Sequence, residues 1–190
     1  MNMKKQLIFS ALIVLSLSAT AQPKLTQTNA RQVVKAMTLE EKAALLVGFS
    51  YGGAYVGMPT APNPDDNALV MGCAGETAAF SKYGIPHTVM CDGPAGLRIS
   101  PTRQNDKNTY FCTGFPIGSC LSSTWNTDLI KEVGTALGNE VLEYGSDVIL
   151  GPGMNIHRNP LCGRNFEYFS EDPFLTGKIA ASWIRGAQSN

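Results

Sequence analysis

A short apolar segment followed by a long polar loop is the feature that most constrains the fold of this chain. Residues 148–150 are Val-Ile-Leu, and Gly151 and Pro152 end this apolar segment abruptly. Polar side chains crowd the following residues until Asp172 and Pro173, a pair that is typical of the first turn of a helix. A plain connection in an α/β unit needs only a few residues, and longer connections tend to carry function. The pattern therefore predicts a strand, a binding loop and a helix.

An equivalent unit comes earlier in the chain. Residues 85–91 predict a strand that leads to Asp92, and residues 99–118 predict a polar loop. Asn126 then caps a helix that extends to Tyr144. The apolar residues of this helix recur at helical spacing: Leu129, Ile130, Val133, Ala136, Leu137 and Val141. The repeated order of strand, loop and helix favours parallel strands joined by crossover helices, which is an α/β fold.

The last predicted helix begins at Pro173 and extends to about Arg185, with Leu175, Ile179 and Trp183 on one face. Only two strand–helix units fit before the sequence ends. A complete (β/α)8 barrel takes about 250 residues, whereas this chain has 190. Two interpretations stay open at this point: a small open α/β domain, or one part of a larger fold.

The first 21 residues are predicted to be a secretory signal peptide. Lys4 and Lys5 precede an apolar segment at 7–17, and Ala19-Thr20-Ala21 offers a small-residue cleavage site. The apolar segment is too short for a typical transmembrane helix. We therefore expect a secreted, periplasmic protein without a stable membrane anchor.

Residues 22–37 are predicted to be a leader segment, and residues 38–190 to be the folded domain. Thr38 and Glu41 form a capping-box pattern ahead of a short helix that Gly48 ends. Residues 49–78 are rich in Gly, Pro, Ala and Asn, which favours a loop or an insertion.

Charge and motif content exclude several classes of partner. Without Lys4 and Lys5, 13 of the 15 basic residues remain against 15 acidic residues, a net charge of −2. That balance favours neither nucleic acid nor an anionic membrane as a partner. Gly151-Pro152-Gly153 is not a dinucleotide-binding GxGxxG motif, and no cofactor is predicted. Nor is a metal site predicted from His157 and Cys162, because His87 is the only other histidine.

The five cysteines show neither CxxC spacing nor a metal-ligand rhythm: Cys73, Cys91, Cys112, Cys120 and Cys162. We interpret them as buried thiols that behave as small apolar residues. A disulfide between Cys112 and Cys120 stays an alternative in an oxidising compartment.

Three motifs stand out: Cys-Asp-Gly-Pro-Ala-Gly-Leu-Arg at 91–98, Ser-Thr-Trp-Asn at 123–126, and the long polar segment at 155–173. Together they resemble the N-terminal domain of glycoside hydrolase family 3, of the β-glucosidase type. The resemblance covers about residues 38–190, and it implies the N-terminal part of a TIM-like (β/α)8 barrel, incomplete in this chain. It also implies retaining hydrolysis of terminal, non-reducing β-D-glucosyl or related residues, with an oligosaccharide or β-glucoside as the substrate.

The resemblance implies three substrate-binding residues. Asp92 matches the aspartate that holds hydroxyls of the terminal sugar, and Arg98 is the arginine that ends the same motif. Arg164 matches the arginine of the Gly-Arg-x-x-Glu segment, which also faces that sugar. A carboxylate can accept two hydroxyl hydrogen bonds, and a guanidinium donates in a fixed fork, so these residue types suit a sugar. We expect Asp92 and Arg164 to face one cleft.

No catalytic residue is predicted within this chain. The Lys-His pair, the nucleophilic aspartate and the acid/base glutamate of the family are all expected beyond Asn190. A non-catalytic sugar-binding fragment or pseudo-enzyme is therefore the alternative function.

Structural interpretations stand beside the functional ones for individual residues. Asp92 could be a turn residue, since Asp-Gly-Pro is a natural turn, and Arg164 could form an ion pair with Glu167. His157 and Arg158 are expected to brace their loop. Trp125 and Trp183 are expected to pack in the core, with a sugar-stacking role as the alternative.

Overall fold

The structure, a computed structural model, describes residues 22–48, 70–103 and 106–190. The predicted signal peptide and most of the predicted loop at 49–78 lie outside these residues. The described chain forms two compact units. The smaller unit holds 22–42 and 80–86, and the larger unit holds the remaining described residues.

The smaller unit is built around Tyr83, whose side chain is fully buried. Its hydroxyl lies 2.9 Å from the carbonyl oxygen of Ala36 and 3.0 Å from the carboxylate of Glu41, and its single proton can be donated to either acceptor. Ala36 ends helix α1 (Ala30–Ala36), which lies inside the segment predicted to be a leader. The sequence did not predict α1, because Val33 is its only buried residue and no apolar periodicity marks it. The domain boundary placed at residue 38 stays a prediction.

The capping box at Thr38 is formed. The backbone N–H of Thr38 donates to Glu41 Oε2 at 2.9 Å, and the backbone N–H of Glu41 donates to Thr38 Oγ1 at 3.2 Å. These bonds satisfy donors at the start of helix α2 (Leu39–Val47) that have no partner within the helix. Gly48, with a φ of +61°, follows the last helical residue as predicted.

The larger unit contains a three-stranded sheet with the order β1-β2-β3. Strand β2 (Val89–Asp92) pairs in parallel with β3 (Val148–Leu150), and Asp92 lies opposite Leu150. The backbone N–H of Val89 donates to Asp147 Oδ2 at 2.8 Å, which holds the amino ends of both strands in register. The parallel pairing predicted from the order of elements is confirmed.

Two details of the sheet differ from the sequence-based expectation. Strand β2 begins at Val89 and not at residue 85, because Ile85 instead forms an antiparallel bridge with Phe80 and Pro86 has no N–H to donate. Strand β1 (Gly75–Glu76) pairs antiparallel with β2 inside a segment that was predicted to be a loop. Two residues are too few to show an alternating pattern.

Two long helices cover the sheet. Helix α4 (Thr127–Glu143) is capped by Asn126, whose side chain accepts from the N–H groups of Asp128 and Leu129, as predicted. Helix α5 (Pro173–Ala187) is capped by Asp172, which accepts from the N–H of Phe174. The helices approach so closely that a Cβ added to Gly134 would lie 2.2 Å from the carbonyl oxygen of Trp183. A short helix, α3 (Gly118–Ser122), precedes α4 and was not predicted.

The core lies between the sheet and these helices, and its buried members are Val70, Cys73, Val89, Cys91, Leu97, Leu121, Ile130, Leu137, Val141, Phe169, Ile179, Ala180 and Trp183. Trp183 therefore packs in the core as predicted. Trp125 does not, since it is 73% exposed and adopts a φ of +55°. Within the described residues, no helix is both long and apolar enough to cross a membrane.

All five cysteines are free thiols, so the alternative disulfide between Cys112 and Cys120 is not formed. Cys73 and Cys91 are buried as expected, whereas Cys120 and Cys162 are exposed. Burial, together with the negative charge of Glu76, raises the pKa of Cys73 to about 12. Burial also raises the pKa of Cys91 above its ordinary value.

We expect Cys73 and Cys91 to resist alkylation by iodoacetamide at pH 8 in the native protein. A pKa near 12 leaves about 10³-fold less thiolate than a free cysteine has, and the thiolate is the nucleophile. Mass spectrometry after labelling should find Cys120 and Cys162 modified first, and the two buried cysteines only after denaturation. Equal labelling of all four in the native protein would contradict the burial of Cys73 and Cys91.

Candidate functional site

The candidate site lies at the carboxyl edge of the parallel strands. Because β2 and β3 run in the same direction, Asp92 at the end of β2 and the loop that follows Leu150 begin at one edge. The two segments also touch there. A Cβ added to Gly151 would lie 3.3 Å from the carbonyl oxygen of Gly93. The fold thus brings the motif at 91–98 against the start of the polar loop.

Asp92 and Arg98 face each other across the turn of their motif. Arg98 Nη1 lies 3.1 Å from Asp92 Oδ2, and the backbone N–H of Arg98 donates to the carbonyl oxygen of Asp92 at 2.9 Å. Both side chains keep access to solvent, with 62% of Arg98 and 39% of Asp92 exposed. An ion pair this exposed adds only about 0–1 kcal/mol to stability. Both groups therefore stay available to a ligand.

Helix α3 contacts the polar loop and holds it through two side-chain hydrogen bonds. The Ser119 hydroxyl donates to the carbonyl oxygen of Phe166 at 3.2 Å, and the buried Ser122 hydroxyl donates to the carbonyl oxygen of Phe169. Gly118 lies directly beneath the loop, because a Cβ there would be 2.5 Å from the carbonyl oxygen of Glu167. These contacts fix the backbone on both sides of Glu167. No sequence pattern had indicated this support.

The loop also braces itself through His157. Its backbone N–H donates to the carbonyl oxygen of Ser170 at 3.1 Å, and its Nε2 lies 3.2 Å from the carbonyl oxygen of Tyr168. The predicted bracing role is therefore confirmed for His157. Arg158 is exposed, and the structure gives it no side-chain partner among the described residues.

Arg164 is held by two neighbours in its own loop. Its Nε donates to Glu167 Oε1, and its guanidinium carbon lies 5.9 Å from the centre of the Tyr168 ring. Glu167 is only 8% exposed, whereas the Arg164 side chain is 70% exposed. A buried carboxylate thus orients a guanidinium that still reaches solvent. The predicted ion pair between Arg164 and Glu167 is confirmed.

Electrostatics link Arg164 to the other half of the site. The pKa of Arg164 is raised above its ordinary value, first by its hydrogen bond and charge pairing with Glu167, and further by the negative charge of Asp92. The contribution of Asp92 is the smallest of these causes. The structure thus brings Asp92 and Arg98 into direct contact, whereas Arg164 pairs with Glu167 in the polar loop that begins at the same edge of the sheet.

Gly118→Ala is expected to destabilise the site loop. The added methyl group would lie 2.5 Å from the Glu167 carbonyl oxygen and 2.9 Å from its carbon, and backbone atoms cannot move aside as a flexible side chain can. Such overpacking costs about 1–3 kcal/mol. The matched control is Gly163→Ala in the same loop, where nothing lies within 4 Å of the added atom. Equal melting temperatures for the two variants would contradict the contact between α3 and the loop.

The described residues contain no cluster of three or more His, Cys, Asp and Glu side chains that could hold a metal ion. Each carboxylate of the candidate site already faces a guanidinium instead, Asp92 facing Arg98 and Glu167 facing Arg164. Such carboxylates are suited to accept hydrogen bonds from hydroxyl groups, and guanidinium groups are suited to donate them. The arrangement fits a neutral ligand with many hydroxyl groups.

Comparison with known proteins identifies the family. The family model described as "Glycosyl hydrolase family 3 N terminal domain" matches residues 68–190, which include the whole candidate site. The chain belongs to glycoside hydrolase family 3. The resemblance drawn from the three sequence motifs is therefore confirmed.

Relatives of this family 3 chain include several glycosidases. Thermostable β-glucosidase B of Acetivibrio thermocellus is 39% identical over 164 residues, which cover 84% of this chain and 18% of that protein. An exo-α-(1→6)-L-arabinopyranosidase of Bifidobacterium longum is 40% identical over 160 residues, which cover 82% of this chain and 18% of that protein. The chain thus spans about a fifth of the length of these relatives.

Solved structures agree on the fold. β-Glucosidase 3B of Thermotoga neapolitana, in complex with α-D-glucose, matches with a TM-score of 0.74 and 53% identity over 84% of this chain and 21% of that chain. The N-terminal domain of such family 3 enzymes is of the TIM-barrel type, so the predicted α/β fold with an incomplete barrel is confirmed. Strand β3 fits an incomplete barrel, because its apolar residues Val148 and Leu150 are 39% and 45% exposed among the described residues. In a parallel sheet with both faces covered, such residues are buried.

Proposed function

We propose that this family 3 chain supplies part of the subsite that binds the terminal sugar of a glycosidase. The proposal rests on the Asp92–Arg98 pair at the carboxyl edge of β2 and β3, and on Arg164 in the polar loop that begins at the same edge. Active sites of barrel enzymes are built at this edge. The substrate class is a β-D-glucoside or a related glycoside, since the relatives include β-glucosidases and an arabinopyranosidase.

Each of the three residues has a defined task in this proposal. The Asp92 carboxylate accepts hydrogen bonds from two sugar hydroxyls, and Arg98 orients that carboxylate. Arg164, oriented by the buried Glu167, donates to another hydroxyl of the same ring. Charge-assisted hydrogen bonds of this kind contribute about 1.5–3 kcal/mol each. Their strengthening as the ring flattens toward an oxocarbenium-like transition state contributes to catalysis.

The proposed reaction is hydrolysis with retention of configuration. Retention requires two carboxyl groups about 5–5.5 Å apart, one as nucleophile and one as acid/base. We assign Asp92 to binding the sugar hydroxyls and Glu167 to orienting Arg164, so neither of them belongs to that pair. In this proposal the reacting carboxyl groups come from parts of the protein outside these 190 residues.

The test is hydrolysis of p-nitrophenyl β-D-glucoside by the intact protein that contains this chain, with NMR detection of the first anomer released. We expect turnover and a β-configured product. An α-configured first product would overturn the retaining mechanism. Binding of glucose without any turnover would favour the alternative function, a non-catalytic sugar-binding protein or pseudo-enzyme.

We also propose that the protein is secreted to the periplasm. The support is the sequence of residues 1–21, with two lysines, an apolar segment and a small-residue cleavage site. Fractionation of cells that produce the protein tests this proposal, together with N-terminal sequencing. A mature protein that begins at Gln22 in the periplasmic fraction is expected, and an uncleaved protein in the cytoplasm would contradict it.

A further inference from the structure

We infer that Glu140, on helix α4, is a positioning residue for the Asp92–Arg98 pair. The inference rests on the proposed sugar-binding function. Glu140 belongs to none of the three family motifs, and its side chain is half-buried on helix α4. It is connected to the site through a single segment of the chain, residues 110–115, which packs against the turn between Asp92 and Arg98.

The first link joins Glu140 to Thr113. The backbone N–H of Thr113 donates to both oxygens of the Glu140 carboxylate at 3.1 Å, and the Thr113 hydroxyl donates to Glu140 Oε1. One carboxylate thus satisfies both donors of this residue. Thr113 is itself exposed, so no packing around its side chain would fix it in the absence of Glu140.

The second link joins Thr113 to the turn of the site motif. The carbonyl oxygen of Thr113 lies so close to Gly96 that a Cβ there would be 2.2 Å away, and Gly96 has a φ of +126°. Two residues later, the backbone N–H of Phe115 donates to the carbonyl oxygen of Ala95 at 3.0 Å. The hydrogen bond from Phe115 to Ala95 couples this segment to the turn, and no side chain would fit between Gly96 and Thr113, so a shift of Thr113 is expected to move the turn.

The third link joins the turn to the site. The backbone N–H of Arg98 donates to the carbonyl oxygen of Asp92 at 2.9 Å, and the two side chains meet at 3.1 Å. Arg98 is two residues from Gly96, so its guanidinium moves with the turn. Glu140 therefore sets the position of Arg98 relative to the Asp92 carboxylate without touching a ligand.

A separate anchor keeps the segment attached when Glu140 is changed. The Tyr144 hydroxyl donates to the carbonyl oxygen of Phe111 at 2.6 Å, and the Tyr144 ring packs edge-on against Tyr110. Arg103 adds to this anchor by donating to the carbonyl oxygen of Tyr144 at 3.1 Å. Loss of the Glu140 contact is thus expected to loosen the segment without unfolding it.

The experiment compares Glu140→Gln with the matched control Glu132→Gln in the intact protein. Glu132 is exposed on the same helix, so the two variants share their chemistry and charge change. We expect Glu140→Gln to lower kcat/KM on an aryl β-glucoside about tenfold, since a small misplacement of a positioned group can cost up to about 10²-fold. Glu132→Gln should leave it unchanged, and both melting temperatures should stay close to that of the wild type.

A double-mutant cycle with Asp92→Asn separates positioning from general structural damage. If Glu140 acts through Asp92 and Arg98, Glu140→Gln should lower kcat/KM less than about threefold in the Asp92→Asn background. The same tenfold loss in both backgrounds would overturn the inference, as would no loss in the wild-type background. If Glu140→Gln fails to fold, Thr113→Val replaces it in the same cycle, because it removes only the hydrogen bond from the Thr113 hydroxyl to Glu140. Thr113→Ser keeps that hydroxyl and is expected to retain activity.

The outcomes separate this inference from the proposed function. If Asp92→Asn alone leaves the kinetics unchanged, the sugar-binding proposal fails, and the role of Glu140 fails with it. If Asp92→Asn impairs hydrolysis but neither Glu140→Gln nor Thr113→Val does, only the positioning role is refuted.

Discussion

Replacing Asp92 by asparagine is expected to lower kcat/KM of the intact protein on a β-glucoside by about 10²-fold or more. The change keeps the size of the side chain but removes the charge that strengthens its hydrogen bonds to sugar hydroxyls. The loss of two charge-assisted bonds corresponds to several kcal/mol, and each 1.4 kcal/mol is about tenfold in rate. Because the bonds tighten toward the transition state, kcat should fall as well as kcat/KM. Steady-state kinetics measure both constants.

The fold should survive this change. Asp92 ends its strand with a half-buried side chain, and the exposed ion pair to Arg98 contributes little to stability. Asp128→Asn makes the same chemical change at an exposed position on helix α4, outside the three proposed sugar ligands, and serves as the control. Kinetics of Asp92→Asn within a factor of three of the wild type would exclude Asp92 as a ligand of the sugar.

Arg164→Ala is expected to lower kcat/KM by about 10²-fold through a different route. It removes the donor from the second half of the site, and one charge-assisted bond of about 1.5–3 kcal/mol corresponds to a loss of about 10- to 150-fold. It also leaves Glu167 buried without its guanidinium partner, which should lower the melting temperature. Arg164→Lys restores the charge but not the planar fork, so it should recover only part of the activity.

Two variants separate binding from loop stability in the Arg164 experiment. Glu167→Gln keeps a hydrogen-bond acceptor for Arg164 and removes the charge, so its loss of kcat/KM should be smaller than that of Arg164→Ala. Arg185→Ala removes an exposed arginine from helix α5 and should leave the kinetics unchanged. If Arg164→Ala lowers the melting temperature but not kcat/KM, the arginine is a structural residue of its loop and not a ligand.

The sequence predicted those elements whose signals are local and chemically distinct. Asn126 and Asp172 cap helices α4 and α5 as expected, because a side-chain acceptor that precedes an apolar repeat leaves few alternatives. The ion pair of Arg164 with Glu167 was foreseen from their spacing in one loop. The common edge of Asp92 and the polar loop followed from the parallel order of the strands.

The sequence failed where tertiary contacts outweigh local preference. Strand β1 exists only because Gly75 and Glu76 find an edge of β2 to pair with. Helix α3 has no side-chain cap, and its role depends on the loop that rests on Ser119 and Ser122. Such contacts join residues far apart in the chain, and no periodic pattern announces them.

Trp125 is a single residue whose environment the sequence also failed to predict. It was predicted to pack in the core beside helix α4, yet it stands in the left-handed region with most of its side chain exposed. The backbone N–H of Trp125 donates to the carbonyl oxygen of Ser122 at 3.1 Å, and that of Asn126 donates to the Thr124 hydroxyl at 3.3 Å. The tight turn between α3 and α4 sets this conformation against the ordinary preference of a bulky residue.

The most direct test of the account is a crystal structure of the intact protein with glucose bound. We expect one sugar ring at the carboxyl edge of β2 and β3, with an Asp92 carboxylate oxygen and an Arg164 guanidinium nitrogen each about 3 Å from a hydroxyl of that ring. Arg98 should remain paired with Asp92. A glucose ring bound elsewhere, with neither Asp92 nor Arg164 in contact, would contradict the assignment of this site.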